Sequence, residues 1–205
     1  MHVLSAQNPI GTRLKPHGIL NVIRYCRCVM ASKGKQQWSF KSRLRLQSNP
    51  DLQKIVQFYV FESPVPDASV TGKTFEDLGW KKHAYATLHS KMRESTGLFE
   101  KGHWVDCAIK VVEEELEKLD RLNEYDCSFE FAVHCKRSDL NMTEALFYLI
   151  RNALARGGFR ISNYESERYL VLENRVGKQL KGRAVIKMDA LLKWAKLLSK
   201  KRKGN

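Results

Sequence analysis

Leu149-Ile150-Arg151-Asn152-Ala153-Leu154-Ala155-Arg156-Gly157-Gly158-Phe159 is the stretch on which the reading of the fold turns. Upstream, Asn141 with Glu144 three residues on has the form of a capping box, and Thr143 is an alternative cap. Leu146, Leu149, Ile150, Ala153 and Leu154 then recur at helical spacing, which gives one apolar stripe. Gly157-Gly158 stops the helix, because glycine adopts the left-handed conformation that closes a helix end. The pattern leaves Arg151, Asn152 and Arg156 near the C-terminal end of the helix, with two permanent cations expected close together. A pair of guanidinium groups suits an anion such as a phosphodiester. The plain structural alternative is helix C-capping with favourable dipole placement, which explains either arginine about as well.

Arg151-Asn152-Ala-Leu-Ala-Arg156 resembles the motif of HEPN domains, which runs Arg, a polar residue, three mostly apolar residues, then His. Arg151 and Asn152 match the first two places, and the His place falls on Arg156. The resemblance continues through Arg168-Tyr-Leu-Val-Leu-Glu-Asn174, Leu180-Lys-Gly-Arg183 and Leu191-Leu-Lys-Trp194. That run is similar to the HEPN group found on plasmids and mobile elements, and it covers roughly the last third of the chain. The resemblance implies a mainly α fold, a HEPN-like helical bundle with a small β insertion between its last two helices. It implies a metal-independent endoribonuclease of the toxin or anti-phage type, working as a homodimer on RNA, with an antitoxin protein as a possible partner and no cofactor. Its site residues would be Arg151 on phosphate, Asn152 as the polar orienting residue, and Arg156 at the place of the family His.

Cutting RNA without a metal requires deprotonating the 2′-hydroxyl, stabilising the phosphate and protonating the leaving oxygen. An Arg–His pair supplies these, since imidazole moves protons near neutral pH. Arg156 does not replace that base, because guanidinium stays protonated. Three explanations stand: an inactivating lesion in a toxin, a natural RNA-binding or antagonist version, or a different base, for which His134 is the nearest candidate in sequence. Two function classes follow. One is a ribonuclease with an impaired site; the other is a non-catalytic module that binds RNA or a protein.

The 205 residues carry 36 Lys/Arg against 22 Asp/Glu, a net charge of +14. Residues 1–30 hold four basic side chains and no acid, and residues 175–205 hold eleven basic side chains against Asp189. The middle is neutral, so the excess is localised, as in polyanion-binding proteins. Within the C-terminal segment, Lys200, Lys201, Arg202 and Lys203 join Arg151 and Arg156 as candidate RNA contacts. The alternative is a solvated tail that only aids solubility. No apolar run reaches the ~20 residues of a membrane span. Five cysteines without a secretory signal suggest reduced thiols in the cytoplasm. Cys26-x-Cys28 lacks the spacing of a metal finger.

Residues 1–29 form an acid-free leader, suited to a transit peptide or a nucleic-acid arm. The plainer alternative is an over-extended start with Met30 as the initiator, and the segment is expected to be poorly ordered. Residues 30–199 form the expected domain and 200–205 a basic tail. Asn49-Pro50 opens a helix to Phe61, Trp80 to Arg93 forms another, and His83 and His89 read as surface or half-buried side chains. Lys101 to Leu122 is expected as the clearest long helix, with Trp104 in the core and Glu113-Glu-Glu115 on a solvated face. Phe129, Phe131, Val133 and Cys135 alternate as in a strand. After Gly158, Phe159-Arg-Ile161, Tyr169-Leu-Val-Leu172 and Arg183-Ala-Val-Ile186 read as strands or extended segments. Asn174-Arg-Val-Gly177 supplies a turn, and Ala190 to Ser199 the last helix.

Overall fold

The computed structural model describes residues 48–65, 72–80, 85–122 and 127–199. The leader at 1–29, His83 and the tail at 200–205 lie outside the described residues.

Asn49 caps helix α1 (Pro50–Val56) by accepting the Leu52 N–H, and the coil continues as a π-helical turn over Gln57–Glu62. Helix α2 spans Tyr85–Arg93. Where one long helix is expected, the chain forms strand β1 (Trp104–Cys107), a 3-10 turn (Ile109–Val111) and a short helix α3 (Val112–Lys118). Trp104-Val105-Asp106-Cys107 pairs in parallel with strand β2 (Phe131–Cys135), so its backbone groups are satisfied by a distant partner instead of by a helix. The helical spacing was coincidental. Val105 and Cys107 from the strand, and Leu119 and Leu122 beyond the helix, pack on the same apolar cluster as Val112 and Leu116.

Helix α4 (Met142–Arg156) has the expected capping box, with Asn141 Oδ1 accepting from Thr143 and Glu144 and Glu144 Oε2 accepting from Asn141 N. Strands β3 (Phe159–Tyr164), β4 (Glu167–Val176) and β5 (Gln179–Lys187) follow, then helix α5 (Met188–Ser199).

The expected helical bundle does not form. The strands make one five-stranded mixed sheet in the order β1-β2-β5-β4-β3, with only the β1–β2 pair parallel. The three strands after α4 are therefore no insertion: β5 pairs with β2, which precedes the motif, and places them at the centre and far edge of the molecule's main layer. Local periodicity reports that a segment is a strand but carries no information on its partner.

Both sheet faces are covered, which matches the near-continuous apolar run Tyr169–Leu172. Phe131, Val133, Tyr169, Val171 and Val185 meet Val112 and Leu116 of α3 on one face. Ala132, Leu170, Leu172, Ala184 and Ile186 alternate with these and are fully buried on the other. On that helical side Phe147 of α4 lies 5.3 Å from the Tyr59 ring and 6.3 Å from Trp194 of α5. The Tyr59 hydroxyl donates to the Leu191 carbonyl at 3.1 Å. No described helix is long and apolar enough to cross a membrane.

Candidate nucleic-acid interface

The end of α4 is welded to β4 by its two glycines, each for a different reason. Gly157 sits at φ 72°, the left-handed conformation that closes the helix. Gly158 donates to the Ala153 carbonyl at 2.8 Å and accepts from the Glu173 N–H at 2.7 Å. A Cβ there would fall well under 3.0 Å from the Glu173 carbonyl oxygen, so only glycine admits β4 this close.

This junction sends the two motif arginines to different places. Arg156 follows Arg151 by five positions, which on 3.6 residues per turn is about 140° around the axis. Arg151 is half-buried and donates from Nη1 to Asn152 Oδ1 at 2.9 Å. Asn152 is 2% exposed, and its Nδ2 makes no hydrogen bond. Arg156 is exposed, and its Nη1 donates to Asn174 Oδ1 at 3.2 Å and to the Arg175 carbonyl at 3.0 Å. The cations expected side by side on one anion instead flank the helix end, one on the amide neighbour and one on β4.

Further cations join them at this end of the sheet. Arg175 donates from Nη1 to the Lys178 carbonyl across the β4–β5 turn, and Lys181 reaches Gln179 Oε1 at 2.9 Å. Lys181 and Arg137 both act on the Cys135 thiol at the end of β2. Burial raises the Cys135 pKa, and these two cations oppose it. Two nearby acids, Glu173 and Asp139, are matched by arginines, whereas Asp106 adds to the upward push on the Cys135 pKa. Glu173 is 6% exposed and shared between Arg175 Nε and Arg183 Nη2, and Arg183 also donates to the Arg121 and Leu122 carbonyls. Asp139 pairs with Arg137. Arg156 thus meets the β4–β5 hairpin, which carries Lys178 and Lys181, to form a basic rim at this end of the sheet, while Arg151 stays on α4 against Asn152.

His134 belongs to the interior of this region, not to its surface. The register places Asp106, His134, Gly182 and Asn174 in one row across four strands, on the helical side of the sheet. His134 is 2% exposed, and its Nε2 accepts the Trp104 indole N–H at 2.9 Å. That bond leaves the ring proton on Nδ1, 3.6 Å from Asp106 Oδ1, too long for a hydrogen bond. Burial lowers the His134 pKa and Asp106 pulls it back. With its lone pair committed to Trp104, and separated from Asn174 by roughly two strand spacings of ~4.8 Å each, His134 holds the β1–β2 edge and is not placed to deprotonate a bound RNA. Trp104 is likewise a structural partner of His134, half-buried against His89 and Phe99.

Lys200, Lys201, Arg202 and Lys203 lie outside the described residues. Sequence reasoning treated residues 175–205 as one basic segment and missed that Lys178 and Lys181 stand on the hairpin beside Arg156. The legible signal was a turn flanked by basic residues, expected at Asn174–Gly177 and found at Gly177–Lys178 because β4 runs on to Val176. A shallow cavity of about 300 Å³ between α2 and α5, lined by Lys91, Glu94, Ser95, Lys193, Trp194 and Leu197, shares no residue with the motif. Compared with protein families, curated proteins and solved structures, the chain matches none.

Proposed function

We propose that the protein binds RNA through this basic rim, as a HEPN-like module whose nuclease chemistry is impaired at Arg156. The observation that carries the reading is the tie of exposed Arg156 to Asn174 Oδ1 and the Arg175 carbonyl, which brings the end of the motif helix onto the basic β4–β5 hairpin that carries Lys178 and Lys181. Lysine and arginine side chains at such a hairpin are able to release counterions from a polyanion. The motif resemblance supplies RNA as the polyanion. A homodimer, an antitoxin partner and a cytoplasmic setting belong to the same proposal, and Cys107, Cys127 and Cys135 outside any disulfide fit that compartment.

The test is RNA affinity across a salt series, with Arg151→Ala and Lys178→Ala/Lys181→Ala beside the unaltered chain. Affinity should fall steeply between about 50 and about 200 mM salt, and each lost phosphate contact should flatten the slope by about one. An affinity indifferent to salt, or unchanged in every variant, rejects the rim as the contact surface.

A second reading is an active endoribonuclease made inert by one residue. The observation in its favour is local. The Arg151 guanidinium rests on the Asn152 amide at the helix end, so the first two motif residues act as one unit. In the present chain, the residue at the family His place is a fixed tie to β4 that carries no transferable proton.

A further inference from the structure

Two thiols meet where the parallel strands end. Cys107 closes β1 and Cys135 closes β2, and the parallel register makes them direct partners. Neighbouring strands lie about 4.8 Å apart, inside the ~4.4–6.8 Å range of Cα separations that a disulfide spans. Residues paired in register project to the same face of a sheet, and both cysteines pack against the apolar cluster under α3. The Cys107 thiol leans across to β2, donating at 3.7 Å to the carbonyl of His134, the residue before Cys135. Both are free thiols and half-buried, whereas Cys127 is sealed in the core at 3% exposure.

The surroundings make the two thiols unequal. Burial raises both pKa values, and the neighbouring charges then act in opposite senses. Cys107 is pushed up to about 11, with Glu115, Asp106 and Cys135 itself adding to burial and Lys118 opposing them. At Cys135 the cations Lys181 and Arg137 favour the thiolate, against Asp106. Thiolate is the attacking form, so Cys135 is the first nucleophile and Cys107 the second. Its place beside Cys135 makes the second attack intramolecular, which offsets a small thiolate fraction.

We infer that Cys107 and Cys135 form a reversible dithiol–disulfide site, oxidised by a small-molecule disulfide such as that of glutathione. The Cys135 thiolate attacks one sulfur of the oxidant, forms a mixed disulfide and expels one glutathione thiolate. Cys107, deprotonated, then attacks the Cys135 sulfur, closes the Cys107–Cys135 bond and expels the second glutathione thiolate. Two electrons pass from the cysteine pair to the oxidant, and the two cysteine protons end on two glutathione thiols. Closure must draw the Cβ atoms in from the strand spacing to about 3.8 Å. Two strand ends take up that strain, which favours reopening by excess thiol. Nothing in the site depends on RNA binding.

The test holds the reduced, unaltered chain in glutathione disulfide, traps remaining thiols with N-ethylmaleimide in denaturant, and maps the digest by mass spectrometry without reductant. Cys107 and Cys135 should appear as one linked peptide pair in most molecules, with Cys127 alkylated, and excess reduced glutathione should return both to thiols. Cys107→Ser should stop at a glutathione adduct on Cys135, and Cys135→Ser should lose modification of Cys107 over the same time. A Cys107–Cys135 link no more frequent than links through Cys26, Cys28 or Cys127 overturns the site. So does survival of both thiols, or a glutathione adduct on the unaltered chain that never closes. Prompt reaction of Cys107 in the Cys135→Ser chain overturns the order of attack. The unaltered chain decides whether the site exists, so a variant that fails to fold removes neither outcome.

Discussion

Alanine at residue 158 should be far more damaging than alanine at residue 157, although both are glycines at one helix end. At Gly157 the penalty is backbone conformation alone. Its φ is 72° and a Cβ would meet nothing within 4 Å, so Gly157→Ala costs the left-handed strain of about 1–2 kcal/mol. Gly158 is crowded instead. A Cβ would press on the Glu173 carbonyl oxygen, with Glu173 C at 3.3 Å and Ala153 O at 3.6 Å behind it. These are main-chain atoms of β4 and α4, and no side chain can rotate away. Relief requires β4 to move off, which breaks the 2.7 Å bond from Glu173 N to Gly158 O at the start of the β3–β4 ladder. Overpacking of this kind costs about 1–3 kcal/mol, and the lost buried hydrogen bond adds roughly 0.5–1.5 kcal/mol. The sum, about 2–4 kcal/mol, should appear in urea as a midpoint lower by roughly 1–2 M at an unchanged slope. The same shift disturbs Glu173, so Gly158→Ala should also lose RNA affinity where Gly157→Ala keeps it. Gly158→Ala within about 0.5 kcal/mol of the parent, or Gly157→Ala the worse of the two, refutes the close-approach argument.

Glu173→Ala takes the carboxylate away from Arg183, which is 2% exposed; breaking one side of a buried ion pair should cost about 3–5 kcal/mol, and Glu173→Gln less, both read by chemical denaturation. His134 has a folded pKa held below the ordinary 6.5 by burial, so the unfolded chain protonates first as pH drops. Its stabilising contribution is therefore complete above pH 6.5 and shrinks as pH falls from there toward the folded pKa. His134→Gln, which can still accept from Trp104, should flatten that part of the stability–pH curve, and an identical curve counts against the neutral buried ring; His89 shifts the same way and remains as background. Arg156→His places an imidazole at the family position and should raise metal-independent RNA cleavage by ~100- to 10,000-fold, the range of general acid–base catalysis. Arg151→Ala in that background should abolish the gain. Cleavage no better than that of the parent chain removes the nuclease reading and leaves RNA binding as the function.

The sequence by itself determined the elements whose hydrogen bonds close within four residues. The Asn141–Glu144 box, the stripe from Leu146 to Leu154, the left-handed Gly157, the Asn49 cap and the final apolar helix all follow from neighbours along the chain. The alternation Phe131–Val133–Cys135 marked a strand for the same reason, since which side chains share a face depends on parity alone. Tertiary structure decided everything that depends on a partner far away. Trp104–Cys107 reads as helix until β2 offers parallel hydrogen bonds at Ala132 to Cys135, and β3 to β5 read as an insertion until Gly182 docks beside His134. It also decided the chemistry at the motif. One stretch of sequence carries Arg151 and Arg156, yet the helix turns them apart and the Gly158–Glu173 contact brings Asn174 and Arg175 to capture the second. Spacing along a chain specifies the angle at which a side chain leaves a helix, whereas the group it meets there is supplied by a strand eighteen residues on, whose approach is set by sheet pairing and by the absence of one Cβ.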